Sequence, residues 1–158
     1  MRRVVKLAVV RVRGGVRARE EVRATLRMLG LTRVNHCVVI DDDPSLKGML
    51  QKAKDYITWG EIERDTLEDL LRERGRLEGG KRLTEEYIKS NTRFSSLSEF
   101  VDALYRGEVK LSDIPGLKKV FRLHPPSKGY EATKRPFRMG GSLGYRGGAI
   151  NELISRMI

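Results

Sequence analysis

The sequence predicts an α+β protein: a small ferredoxin-like β-α-β-α-β core with two helices on one sheet face, then a helical extension and a basic C-terminal tail. Three observations carry this reading. Over the first sixty positions, β-branched runs alternate with apolar residues at helical spacing. Residues 61–114 keep the helical spacing but turn acidic, and residues 127–148 hold Gly, Lys and Arg with no hydrophobic period. At 158 residues the chain can form one domain with a real core, or a small domain with an appended one. The reading divides it into a core at 1–62, an acidic helical extension at 63–114, and a final part at 115–158. That final part holds a returning strand, an extended basic segment and a closing helix.

Taken in order, Val4–Val12 is rich in β-branched residues and runs into Gly14-Gly15, which reads as a strand entering a loop. Val22, Leu26 and Leu29 recur at helical spacing, and Gly30 supplies the stop. Val34–Ile40 reads as a second strand. Asp43-Pro44 then gives an N-cap followed by proline at the first helical position, and Leu46, Leu50, Ala53 and Ile57 make the buried stripe of a second helix. Thr58–Ile62 reads as a short third strand carrying the only tryptophan, Trp59. The other sheet face, or the loop edge, is expected to be left for a partner. Beyond the core, Leu67, Leu70 and Leu71 place a helix over Arg64–Glu73, closed by Gly75. Ser96-Leu-Ser-Glu99 has capping-box spacing and opens another helix through Phe100, Val101 and Leu104. Lys118–Leu123 returns as a strand, Pro125-Pro126 breaks the pattern, and Ala149–Ile158 closes as an amphipathic helix on Ile150, Leu153, Ile154 and Met157.

Charge points to the partner. The chain carries 32 basic and 21 acidic residues, a net +11, with a pI near 10.1. Ten of the bases lie between Arg2 and Arg33, against two acids, Glu20 and Glu21. The net charge is +7 over residues 1–60, −3 over 61–114 and +7 over 115–158, so two basic ends flank an acidic middle. Such ends attract polyanions and release counterions from phosphates on contact. Arginine outnumbers lysine 21 to 11. It suits RNA, since its planar fork pairs phosphate bidentately and its flat face stacks on unpaired bases. A single exposed arginine usually marks only a solvated helix face; a ten-to-two excess on adjoining elements does not. An anionic membrane is the competing polyanion, but no apolar run approaches the roughly 20 residues needed to span one. With no secretory pattern at the start and a lone Cys37 that fits a reducing compartment, a cytoplasmic location is expected. The acidic middle is not expected to contact RNA; solvent, a basic neighbouring protein or a cationic tail of another component would face it.

Other constellations carry less. Asp41-Asp42-Asp43 offers hard oxygens to Mg²⁺, yet no second acidic group follows at ligand spacing, and a negative N-terminus complementing a helix dipole accounts for the run. His36-Cys37 sets two soft-metal ligands on adjacent strand positions, which face opposite ways; Cys37 reads as a small core residue. Gly140-Gly141 through Gly147-Gly148 lacks the Gly-Lys-Ser/Thr ending and the preceding buried strand of a phosphate loop. Its glycines let the backbone approach RNA, with Lys128, Lys134, Arg135, Arg138 and Arg146 neutralising phosphates. A disordered linker is the competing reading, and such segments commonly order on binding. Tyr130, Phe137 and Tyr145, interleaved with those charges, either stack on bases or pack against the domain. With no Ser/His/Asp or Cys/His constellation, no buried carboxylate pair and no dinucleotide fingerprint, neither enzymatic activity nor a cofactor or metal is expected.

Val10-Arg-Val-Arg-Gly14, then Thr25-Leu-Arg-Met-Leu-Gly-Leu31 with Thr-Arg-Val-Asn35 behind it, then Gly48-Met-Leu50 and Tyr56-Ile-Thr-Trp-Gly60 resemble the large-ribosomal-subunit protein L-thirty family, whose eukaryotic members are called L-seven. Residues 4–62 match the core shared by that family. The tail from Phe121, with His124-Pro-Pro126, Gly140-Gly141, Leu143-Gly-Tyr145 and the closing helix, resembles the longer archaeal and eukaryotic form. The resemblance implies a structural constituent of the large subunit that binds 23S-type rRNA near the 5S rRNA region, supports translation and catalyses nothing. By position it implies rRNA contact in and around the first strand-to-helix loop, at Arg11, Arg13, Gly14, Arg17, Arg19 and Arg23. Arg27 and Arg33 extend that basic surface. Further partners it implies are 5S rRNA and neighbouring ribosomal proteins, and the isolated chain is expected to be a monomer. The alternative is a regulatory RNA- or DNA-binding module, which would show a symmetric dimer and a recognition helix with short polar base-readers. The exposed side of Arg17–Arg27 is nearly all arginine instead. A basic protein-interaction adaptor, binding an apolar groove with little salt dependence, is the third class.

Overall fold

The computed structural model describes residues 5–158; Arg2, Arg3 and the first residue of the expected first strand, Val4, lie outside the described residues. All six residues of β1 (Lys6–Arg11) are buried, which is why this stretch reads as a continuous apolar run rather than an alternating one. Two strands flank it and both run antiparallel to it: β2 (His36–Asp41) and β3 (Ile57–Glu61). Those two are therefore parallel to each other, and the segment joining them crosses β1 through α2 (Pro44–Lys52) as a split β-α-β unit. Two late strands complete the sheet, β4 (Val120–Arg122) beside β2 and β5 (Gly144–Tyr145) beside β3, giving the order β4-β2-β1-β3-β5. The α+β class is as expected. No helix among the described residues is long and apolar enough to cross a membrane.

One sheet face, with Leu7, Val9, Val38 and Trp59, packs under α1 (Glu20–Leu29) and α2 through Leu26, Leu29, Leu50 and Ala53. The opposite face, or the loop edge, was expected to await a partner, and for the face the structure differs. Ala8, Val10, Cys37 and Phe121 are covered by the chain's own α3 (Arg64–Arg74), α5 (Leu97–Tyr105) and α6 (Ile150–Met157), through Leu67, Leu70, Phe100, Leu104, Leu153 and Ile154. Cys37 is fully buried there, and desolvation pushes its thiol up to about 12. The continuous apolar run of β1 requires cover on both faces, but it cannot say that the second cover comes from later helices of the same chain.

Local signals placed the start of α2, the end of α1 and the start of α5, but not the end of α2: Ile57, expected on its buried stripe, instead begins β3, because the helix stops at Lys52. The Asp43 carboxylate accepts from the Ser45 amide at 2.8 Å and Pro44 occupies the first turn, while Gly30 ends α1 at φ 84°. Ser96 accepts from the Glu99 amide at 3.2 Å; the Glu99 carboxylate reaches the amide of Ser95 instead of Ser96, so the box is displaced by one residue. A further helix, α4 (Glu85–Asn91), was not anticipated. It is capped by Thr84 and buries only Ile88, which leaves no periodic stripe to read.

The C-terminal segment is fixed to β3. Thr58 Oγ1 donates to the Gly144 carbonyl at 2.8 Å, and the Arg146 amide donates to the Trp59 carbonyl at 2.8 Å. A Cβ at Gly60 would stand 1.9 Å from the Gly147 oxygen, so only glycine permits this approach. Asn151, on α6, completes the joint: its amide donates to the carbonyls of Glu61 and Gly148, and its oxygen accepts from the Glu63 amide at 2.7 Å.

Candidate nucleic-acid interface

The loop from Val12 to Arg19 leaves the end of β1 and is braced before it presents anything. The amides of Val12 and Arg13 both donate to the Tyr56 carbonyl, at 2.9 and 3.2 Å. Arg11 departs from its expected role. It is buried, its Nη1 donates to the Leu31 carbonyl at 2.8 Å and its Nε to the Arg13 carbonyl at 3.0 Å, so it holds the loop's base together. Burial also lowers its pKa. Arg23 is exposed but lies back along the loop, donating to the Ala18 carbonyl at 2.9 Å. Arg13 lies over the Tyr56 ring at 5.2 Å and donates to the Asp55 carbonyl.

That bracing leaves Arg17, Arg19 and Arg33 exposed, with no hydrogen bond or ion pair to another side chain among the described residues, and Gly14 open beside them. The two acids of the region are neutralised from within. Arg27 pairs with Glu20 at 2.7 Å and Lys52 with Glu21 at 2.8 Å, and these bonds hold both carboxyls below their ordinary range. Arg11, Arg23 and Arg27 line one depression of about 320 Å³ that reaches Thr32.

The tail extends this surface. Lys134 and Arg138 line a cleft together with Lys54, from the turn after α2, and Asp55 of the same turn receives the bond from Arg13. The N-terminal loop and the tail thus meet across residues 54–56. Lys128 and Arg135 are exposed elsewhere on the tail and line neither depression. Arg146 is turned inward: its Nε donates to Thr58 Oγ1 at 2.7 Å, its Nη2 to the Ser142 carbonyl at 2.8 Å, and its guanidinium lies 4.9 Å from the Phe137 ring centre. Burial lowers its pKa as well.

Sequence reasoning missed Lys54, whose signal was the Lys52-Ala-Lys54 pair closing a helix at its negative end. It also missed Arg74, Arg76, Lys118 and Arg122, which line a cationic cleft of about 250 Å³ around Gly80. Two of these belong to the acidic middle, where local charge counting hid them. The Asp41-Asp42-Asp43 run is divided among separate partners: Asp41 pairs with the buried Lys6, Asp42 with Lys47 at 2.9 Å, and Asp43 caps α2.

The loop, α1, β2 and α2 lie within residues 7–57, which also take in nearly all of β1 and reach the start of β3, and these residues match the family described as Ribosomal protein L30p/L7e. The similarity extends much further. A large ribosomal subunit protein uL30 of Methanosphaera stadtmanae is 55% identical over 96% of this chain and 99% of its own length. The chain belongs to the ribosomal protein L30p/L7e family. A uL30 of Methanopyrus kandleri is 54% identical over 93% of the chain and all of its own length, and one of Methanocorpusculum labreanum is 51% identical over 95% and 98%. Family membership therefore covers the α3–α6 layer and the tail of this L30p/L7e protein as well as its first sixty residues, and it agrees with the resemblance read from Val10–Gly14, Thr25–Asn35 and Tyr56–Gly60.

Proposed function

We propose that this L30p/L7e protein is a structural constituent of the large ribosomal subunit in the cytoplasm, where it binds 23S-type rRNA near the 5S rRNA region. The observation that carries the reading is the band of uncompensated cations running from Arg17, Arg19 and Arg33 past Arg13 to Lys54, Lys134 and Arg138. Glu20 and Glu21 are already paired with Arg27 and Lys52, which leaves the cations of the band in excess and phosphates as the fitting counter-charge. The names of the relatives, all large-subunit proteins, agree with this. Neighbouring ribosomal proteins and 5S rRNA are further partners, and no catalysis or cofactor enters.

The test compares two quadruple variants for affinity to a large-subunit rRNA transcript. One replaces Arg13, Arg17, Arg19 and Arg33 with Gln. The other replaces Arg72, Arg82, Arg93 and Arg106, three of which are paired with acids of their own chain and one of which lies over the Phe94 ring. Both remove four charges. A loss confined to the first set supports a shaped contact surface; equal losses would mean that net charge alone is responsible. Equal affinity for duplex DNA would favour the regulatory module instead.

A further inference from the structure

Three of the chain's ten aromatic residues, Trp59, Phe137 and Tyr145, line one open cleft of about 280 Å³. Trp59 and Tyr145 stand side by side across the parallel pairing of β3 and β5. Exposed apolar side chains that share one surface and are rimmed by polar groups are a feature of binding sites. Here Phe137 is 38% exposed and Tyr145 47% exposed, and Lys54, Lys134 and Arg138 stand at the rim. Neither ring is free to collapse inward. The Arg146 guanidinium sits 4.9 Å from the Phe137 ring and is itself bonded to Thr58 and Ser142, while the Tyr145 hydroxyl donates to Glu61 Oε1 at 2.5 Å. The aromatic wall is therefore held in place before any ligand arrives, which lowers the ordering cost of binding.

We propose that this cleft holds one unpaired nucleotide of RNA, its base against the aromatic wall and its phosphate on the lysines and arginine of the rim. The inference rests on the rRNA-binding reading and adds the state of the nucleotide. A duplex keeps its base faces within its own stack, so only an unpaired base can offer one to protein aromatics. Gln51 and Asp55, also on the cleft, supply donor and acceptor groups for a base edge. An acidic peptide would satisfy the cations and leave the rings unused.

Trp59 is the only tryptophan, so its fluorescence reports the cleft directly. The full-length protein is titrated with a mixed-sequence single-stranded RNA octamer, with the same octamer annealed to its complement, with inorganic polyphosphate and with poly-glutamate. Affinity for a large-subunit rRNA transcript is measured in parallel. Saturable quenching by the single strand, weak with duplex and absent with the two base-free polyanions, is the expected result. Phe137→Leu should weaken it about tenfold and Phe137→Tyr should restore it, since stacking needs a ring face and not apolarity. Equal quenching by polyphosphate or duplex, or no effect of Phe137→Leu, would overturn the proposal. Equal quenching by poly-glutamate would do the same in favour of an acidic protein partner. Absent single-strand quenching with intact rRNA binding removes the cleft and leaves the ribosomal reading standing; quenching without affinity for the rRNA transcript removes that reading and keeps the cleft.

Discussion

Arg11 and Arg17 sit in one basic stretch of sequence, yet one guanidinium is spent on the carbonyls of Leu31 and Arg13 while the other stands in solvent. Opposite phenotypes follow. Arg11→Met keeps the apolar stem but leaves two carbonyls unpaired, so it should cost about 1–3 kcal/mol of stability by chemical denaturation, with RNA affinity falling only as the loop loosens. Arg17→Gln should leave the melting temperature unchanged and weaken rRNA binding. The sequence could not separate the two, because which arginine turns inward depends on where Leu31 brings the end of α1, a tertiary fact. Arg146 was hidden in the same way, among exposed Lys and Arg. His36 makes a pH prediction. Burial first, then the charges of Arg122, Arg33 and Arg11, lowers its pKa in the fold. The folded state therefore binds the proton less readily than the unfolded chain, so the stability it contributes is complete above the unfolded value of about 6.5 and is lost as pH falls from there through the lower folded value. Urea midpoints at pH 7.5 and 5.5 should differ more for the wild-type chain than for His36→Asn.

Among the elements, those with a strong local signal were legible: the caps at Asp43 and Ser96, the stop at Gly30, and the stripe of Leu153, Ile154 and Met157 on α6. Those made by long-range contact were not. β5 is two residues long, and nothing local announces it, since its partner Thr58 lies 86 positions away. The competing reading of residues 127–148 as a linker that orders on binding is accordingly narrowed. The amides of Phe137, Leu143 and Arg146 bond to Leu143, Arg135 and Trp59, so they should exchange slowly without RNA, while those of residues 131–134 exchange fast. Gly60→Ala tests the anchor. Its Cβ would meet the Gly147 oxygen, so the variant should lose about 1–3 kcal/mol in urea denaturation and the slow exchange at Arg146, while β1 amides such as Val9 stay protected.

Over the whole molecule, charge was the most legible property and the arrangement of its layers the least. Composition located the basic ends, but only the fold shows that they meet at residues 54–56 and that Arg74 and Arg76 join Lys118 and Arg122 in a cleft of their own. Contact with about six phosphates should make log K for rRNA fall against log salt with a slope of roughly −4 to −5, and a nearly flat response in a filter-binding series would rule out a phosphate-dominated interface. The sheet also has a history. β1, β2 and β3 are made first, yet β5 closes the edge of β3, and Leu153 and Ile154 of α6 complete the cover over Ala8, Val10 and Cys37. At about 5–20 residues per second, the 86 positions separating Thr58 from Gly144 take on the order of ten seconds to translate. For that interval the nascent chain carries an open strand edge and an apolar surface that α3 and α5 cover only in part, the two features that invite aggregation, and its release from them waits on its own last helix.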